Sequence, residues 1–279
     1  MCLAPLTLKK QIIGWSPDQL KILKQSGIES KPPTVPCGRC NECKARRISG
    51  WSFRLQKELL VSNSALFVTL TYDKAPLTTK NFMNLEKVHL QNFFRYLRRD
   101  GQKIKYYACG EYGTATMRPH YHIILFNTTP EMVEKHWSHG HVHFGTVTGA
   151  SIGYCLKYMA KPSKIPLHHN DDRTKEFALM SKKLGANYLT PAMKAWHLAD
   201  LKNRCYATIN EIKISLPRYY KDKIYSLLEK QIIARHMENS ANLEFVDKSL
   251  ITKKQMFGKQ DLIRIFKGKQ RQSRLSEKL

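Results

Sequence analysis

Arg118-Pro119-His120-Tyr121-His122-Ile123-Ile124-Leu125-Phe126 is the stretch on which the fold turns. Its apolar end reads as a buried strand. Successive side chains of a strand point to opposite faces, so His120 and His122 share one face while Tyr121 takes the other. Two imidazoles on one sheet face form a rigid platform for a divalent cation. A third ligand should come from the neighbouring strand or its exit loop. Glu111, in Cys109-Gly110-Glu111-Tyr112-Gly113, is well placed if that segment pairs antiparallel with the histidine strand. A hard carboxylate beside the imidazoles favours Mg²⁺ or Mn²⁺, with positions left open for phosphate oxygens. The same spacing recurs in His141-Val142-His143, which lacks an upstream carboxylate like Glu111. That second pair is expected to serve strand packing, a DNA contact or adventitious metal binding.

Outward from this stretch, hydrophobic periodicity gives an ordered set of elements. A helix begins near Asn41, with Ile48, Trp51, Leu55 and Leu59 at helical spacing. Strands are expected at 65–72, 103–109, 121–126 and 141–147. Helices are expected from Asn81 or Asn84 to about Arg99, around 130–137, and over 149–161. The order predicts an α+β domain, an antiparallel sheet with helices against one face. Residues 1–36 are punctuated by prolines and read as loop. Beyond Pro162 the signals weaken to helical stretches over 191–235 and a Lys/Arg/Gln-rich segment from about Lys248. Three regions follow: a Cys-rich N-terminal element (1–50), a catalytic core (51–165) and a basic, mainly helical C-terminal region (166–279).

The helix expected over 149–161 carries Gly153-Tyr154-Cys155-Leu156-Lys157-Tyr158-Met159-Ala160-Lys161. At 3.6 residues per turn, positions 154, 158 and 161 lie within roughly 60° of one another around the axis. Two hydroxyls and an ammonium therefore share a side. A tyrosine is a poor nucleophile at neutral pH because its ordinary pKa is about 10. A neighbouring lysine and a cation polarising a phosphate would ease its attack. An i,i+4 aromatic pair more commonly packs a core; the histidine strand some thirty residues upstream is what gives this pair chemical meaning.

The chain has 279 residues, with 47 Lys+Arg against 22 Asp+Glu and a formal charge of +25. Such an excess repels itself unless a polyanion neutralises it, and nucleic acid is the leading partner. With 42% hydrophobic residues the composition is that of a globular protein, not a disordered chain. No apolar run is long enough to span a bilayer, so no membrane partner and a cytoplasmic location are expected. The cysteines cluster as Cys37-x-x-Cys40-x-x-Cys43, and Cys2 completes four thiolates if the N-terminus folds back. That set suits structural Zn²⁺. Arg46 and Arg47 beside it, Arg118, and Arg218 in a downstream basic set are candidate DNA contacts.

Taken together, Met1-Cys2-Leu3-Ala4-Pro5, the cysteine cluster, Thr69-Leu70-Thr71-Tyr72-Asp73, Gly110-Glu111-Tyr112-Gly113, Arg118-Pro119-His120-Tyr121-His122, the double Tyr-x-x-Lys and Leu216-Pro217-Arg218-Tyr219-Tyr220 resemble the replication initiators of gokushovirus-like microviruses. These are single-stranded DNA phage proteins of the HUH endonuclease superfamily. The resemblance covers about residues 1–225. It implies rolling-circle replication, in which one tyrosine cuts the origin and keeps a 5′-phosphotyrosine, leaving a 3′-OH for a host polymerase. The second tyrosine then cuts the regenerated origin and the strand is closed. It also implies His120, His122 and Glu111 as ligands, Tyr154 and Tyr158 as nucleophiles, and Lys157 and Lys161 as supporting lysines. The partners implied are viral single-stranded and replicative-form DNA, with host helicase and polymerase, in the bacterial cytoplasm. The alternative from another class is a non-catalytic basic single-stranded DNA-binding or packaging protein with a structural zinc site.

Overall fold

The structure is a computed structural model and describes residues 6–7, 34–160, 163, 165–209 and 211–237. Cys2, Lys161 and the basic segment beyond Lys248 lie outside the described residues. The chain divides into two compact units: 45–193 with 207–217, and 1–44 with 194–206 and 218–279.

The first unit is built on a five-stranded sheet. Its strands are β3 (Ala65–Thr71), β4 (Lys105–Tyr112), β5 (Pro119–Phe126), β6 (Val142–Thr146) and β7 (Phe177–Met180), after the short β1 (Leu6–Thr7) and β2 (Thr34–Val35) that pair with each other. The order across the sheet is β6-β3-β5-β4-β7, and every neighbouring pair is antiparallel. The histidine strand β5 is thus central and buried along most of its length.

Alternation along these strands sorts side chains into two cores. On one face Val68, Leu70, Ala108, Tyr121, Ile123 and Leu125 pack with Leu90, Phe93, Phe94 and Leu97 of α2 (Lys87–Arg99) and Val133 of α3 (Pro130–His136). On the other, Tyr107, Cys109, Ile124 and Phe126 pack with Leu55 of α1 (Asn41–Leu59) and with Ile152, Cys155 and Leu156 of α4 (Gly149–Ala160). Helices therefore cover both faces, not one as expected. The cause is legible in β4 and β5, whose runs are buried at consecutive positions, a pattern that demands cover on both sides.

Three further expectations need correction. Helix α2 begins at Lys87 after Glu86, so neither Asn81 nor Asn84 caps it. The Asn84 side chain is instead buried, accepting from the Thr174 amide (2.7 Å) and the Tyr112 hydroxyl (3.2 Å). Strand β4 runs on through Tyr112, so Glu111 sits in the sheet and not in a loop after it. Strand β7 falls where the sequence signals no strand; its four residues pair with β4 from Tyr107↔Met180 to Gly110↔Phe177.

The entry to α2 is fixed by hydroxyls. Tyr121 Oη accepts from the Glu86 amide (3.0 Å) and donates to the Glu86 carbonyl (2.9 Å), and Tyr72 Oη lies 2.7 Å away. Burial pushes the Tyr121 hydroxyl up to about 12, and it stays a neutral donor.

Helix α5 (Pro191–Ala199), the paired strands β8 (Tyr206–Ile209) and β9 (Ile212–Ser215), and α6 (Arg218–Ile224) follow, with helical residues at 227–237. In the second unit, Cys205, Tyr220, Ile224, Tyr225 and Ile233 are buried, and buried His197 has Nδ1 against the Arg204 carbonyl.

Candidate active site

The register of β4 on β5 sets Glu111 opposite His120 and Cys109 opposite His122. Directly opposed residues of antiparallel strands project to the same face. Glu111 Oε1 consequently lies 2.9 Å from Nε2 of His120 and 2.9 Å from Nε2 of His122. The three ligand atoms all fall within 4.8 Å of one another. Glu111 and His122 are buried and His120 is half-buried, so the cluster opens on one side.

The donor set asks for a cation. His120 Nδ1 is 3.1 Å from the Arg118 carbonyl, which can only accept, so this nitrogen carries the proton. In a neutral imidazole Nε2 then presents a lone pair, and it faces a carboxylate oxygen. The Nε2 of His122 is buried and has no aligned hydrogen bond, although the same carboxylate oxygen is 2.9 Å away. Acceptors facing acceptors are stable only with a proton or a metal between them. Two ligands at about 2.1 Å from an octahedral ion are separated by about 3 Å, the spacing seen here. His122 Nδ1 is in turn held at 3.0 Å by the hydroxyl of Thr69. Both imidazoles thus have outer partners of the kind that orient metal ligands.

Without a cation the charges settle as far as they can. Burial works against the Glu111 charge, but hydrogen bonding to His120 and His122 outweighs it and holds the carboxyl below its ordinary range. Burial likewise opposes a charge on His120, yet Glu111 and the Arg118 carbonyl draw its pKa upward.

Helix α4 brings the tyrosines to this cluster. The ring of Tyr154 meets His122 edge-on at 4.9 Å between centroids, and that of Tyr158 lies parallel to it at 6.4 Å. The two tyrosine rings are 5.6 Å apart. Tyr154 is 42% exposed, whereas Tyr158 is half-buried. Burial, a hydrogen bond with Tyr154 and the Glu111 charge push the Tyr158 pKa well above the ordinary value. What seats the helix is its next residue: Cys155 packs in the core against Cys109 of β4. The hydrogen bond between these thiols, together with burial, pushes Cys109 well up and keeps it neutral. Sequence reasoning misses two stabilisers of the site, Thr69 and the Cys109–Cys155 contact. Both involve small residues at alternating or helical positions that mean nothing until the register is known.

Of the other candidates, Lys157 is exposed on α4, and Arg46, Arg47 and Arg118 are exposed or half-buried in the first unit. The Arg118 guanidinium donates to the Tyr72 carbonyl. Arg218, in the second unit, is exposed and 3.4 Å from Asp222. The sulfurs of Cys37, Cys40 and Cys43 converge within 4.8 Å, and the Cys40 amide donates to Cys37 Sγ at 3.3 Å. This is the geometry of a thiolate metal knuckle, and Cys2, the expected fourth ligand, is outside the described residues.

Residues 65–163 match the family model of the phage replication-associated protein ORF2. The match runs from the start of β3 past the end of α4, enclosing Glu111, both histidines and both tyrosines. Over 250 residues the chain is 25% identical to Replication-associated protein VP4 of Bdellovibrio phage phiMH2K, covering 77% of this chain and 74% of that protein. It is 29% identical over 181 residues to Replication-associated protein ORF2 of Spiroplasma virus 4, covering 56% and 57%. It is 25% identical over 226 residues to Replication-associated protein ORF4 of Chlamydia phage 1, covering 70% and 55%. The aligned part is thus a little over half the length of the last two relatives. The resemblance to microvirus replication proteins is borne out. No solved structure matches significantly. Among the described residues no helix is long and apolar enough to cross a membrane.

Proposed function

We propose that the protein initiates phage DNA replication as an HUH-type endonuclease that cuts and rejoins one DNA strand by the rolling-circle route. One observation carries this reading: α4 sets both tyrosines beside His122, whose Nε2 shares a Glu111 oxygen with His120. A packaging protein has no use for that conjunction.

The residues divide the work. Glu111, His120 and His122 would hold Mg²⁺ or Mn²⁺, which supplies Lewis-acid polarisation of the scissile phosphate. Tyr154, the more exposed hydroxyl, attacks phosphorus; the P–O3′ bond breaks, leaving a 5′-phosphotyrosine and a 3′-hydroxyl. The proton lost by the tyrosine balances the one gained by the 3′ oxygen. Tyr158, held protonated, is the reserve nucleophile for the regenerated origin, and the 3′-hydroxyl released in that second cut attacks the first phosphotyrosine to close the circle. Exposed Lys157 offers charge to the strand, and Lys161 is the expected second lysine. Arg46, Arg47, Arg118 and Arg218 are proposed phosphate contacts, with viral single-stranded and replicative-form DNA as substrates. Extension from the 3′-hydroxyl requires a host polymerase and helicase in the bacterial cytoplasm.

The cysteine cluster is proposed to bind one structural Zn²⁺ through Cys37, Cys40, Cys43 and Cys2. Metal analysis of the purified chain should find one zinc per molecule, lost in Cys40→Ser.

The decisive test incubates the full chain with single-stranded oligonucleotides tiled across the candidate phage genome, with Mn²⁺ or EDTA. The expected result is a Mn²⁺-dependent, SDS-resistant protein–DNA band whose tryptic adduct maps to Tyr154 or Tyr158. Reversible binding to every oligonucleotide, with no covalent band in either condition, would return the chain to the class of packaging proteins.

A further inference from the structure

The second histidine pair lies on the same face as the first. Strand β6 pairs antiparallel with β3, setting His143 opposite Thr69, and Thr69 is itself opposite His122. One row across the sheet therefore reads Cys109, His122, Thr69, His143. The next reads Glu111, His120 and Thr71, with His141 alongside, since the Thr71 amide donates to the His141 carbonyl at 3.0 Å. Gly140 makes this approach possible: with φ at 156°, a Cβ there would stand 2.5 Å from the Asp73 amide nitrogen.

The composition of β6 fits a binding edge. Val142 and Phe144 turn to the opposite face and pack on the core, while His141 and His143 are exposed and contribute nothing to it. The lower half of the active face, at Ile124 and Phe126, is covered by apolar helix residues. The upper half, from Glu111 to His143, is lined by polar groups. Two inter-strand spacings separate β5 from β6, roughly 10 Å, too far for His143 to share a cation with His122. The pair is also not equivalent within itself. His141 Nε2 is 3.3 Å from Asp73 Oδ1, which occupies its donor and repels an anion. His143 has no acidic neighbour on its row.

We propose that His143 forms a second phosphate subsite, binding through its ring N–H a phosphodiester that flanks the one cut at the Glu111–His120–His122 cluster. The proposal rests on the endonuclease reading for the position of the cut strand. The DNA strand then crosses the sheet from β5 over Thr69 to the β6 edge, and His143 sets how the scissile linkage is registered against the tyrosines. A hydrogen bond to a charged group of this kind corresponds to roughly tenfold in affinity.

The test uses the full chain and the tiled oligonucleotide it binds best, resynthesised with one neutral methylphosphonate linkage at each position in turn. Wild type, His143→Ala and His143→Gln are compared by binding and by cleavage. In wild type, one linkage beside the scissile position should cost roughly tenfold when neutralised. In His143→Ala that linkage should no longer matter and overall binding should be roughly tenfold weaker, with His143→Gln recovering part of the loss through its amide donor. Interference patterns identical in wild type and His143→Ala would overturn the subsite, even if the protein nicks normally. Linkage-specific loss without any nicking would support the subsite and retire the endonuclease reading.

Discussion

His120-Tyr121-His122 and His141-Val142-His143 have the same spacing, belong to neighbouring parts of one sheet and present their imidazoles on one face, yet only the first converges on a buried carboxylate. The difference is position in the sheet. Strand β5 is central, flanked by β4, which supplies Glu111, and by β3, which supplies Thr69 to orient His122. Strand β6 is an edge, paired on one side only, and its nearest carboxylate, Asp73, is highly exposed and reaches His141 alone. A metal needs several donors delivered from different strands; a phosphate needs one exposed N–H. The same tripeptide pattern thus reads as a cation site in the interior of a sheet and as an anion contact at its rim.

Removing ligands should break this comparison most widely. His122→Ala is expected to lower single-turnover nicking by on the order of 10³-fold, the scale of losing a group that stabilises transition-state charge. His143→Ala should cost only about tenfold. Equal losses in quench-flow or gel time courses would mean that the two pairs act as one unit.

The tyrosines sharpen the assignment of the interior pair. Tyr154→Phe should abolish the covalent band on a single-cut oligonucleotide, because Tyr158 is half-buried with its proton held tightly. Tyr158→Phe should retain the first cut and lose circle closure on a two-origin substrate. The reverse assignment of adducts by tryptic mapping would exchange their roles.

Thr69 separates metal affinity from phosphate contact. Thr69→Val removes the hydroxyl 3.0 Å from His122 Nδ1 while preserving the shape of β3. Calorimetric titration with Mn²⁺ should show about 10–100-fold weaker binding, typical for loss of an outer partner. His143→Ala should leave that affinity unchanged. A parallel drop in both variants would make β6 part of the metal site.

Much of this is legible in the sequence. The strands at 65–72 and 121–126 and the tyrosine helix follow from apolar runs, and Glu111 can be matched to His120 by assuming an antiparallel pair. What escapes are relations that need register. Gly110 and Gly113 suggest a turn around Glu111, whereas Gly110 lies in the sheet, where any Cβ would come within 3.1–3.2 Å of Leu85, Tyr121 and Phe177. Strand β7 has four half-buried residues and too short a run to signal itself. Asn84 is of a type that caps helices, but its amide is committed to Thr174 across 90 residues. That His143 shares a row with His122 depends on β6 pairing with β3, a topological fact that no local pattern contains.

The middle residues of the two tripeptides extend the contrast to the far face, where the effects should be smallest. Tyr121 is fully buried, and its hydroxyl serves the Glu86 amide, the Glu86 carbonyl and Tyr72 at once. Tyr121→Phe strands those partners and should destabilise the fold by about 1–3 kcal/mol in chemical denaturation. Val142 is only partly buried on the edge strand, and Val142→Ala should cost about 1 kcal/mol. Neither change touches the active face, so cleavage under conditions where both variants are folded should stay near wild type. If Tyr121→Phe instead slowed cleavage without changing stability, the hydroxyl network at the start of α2 would be acting through the sheet on His120 and His122. The interior strand would then be a coupling element between the two faces, a role that the edge strand, with Val142 in the equivalent place, cannot share.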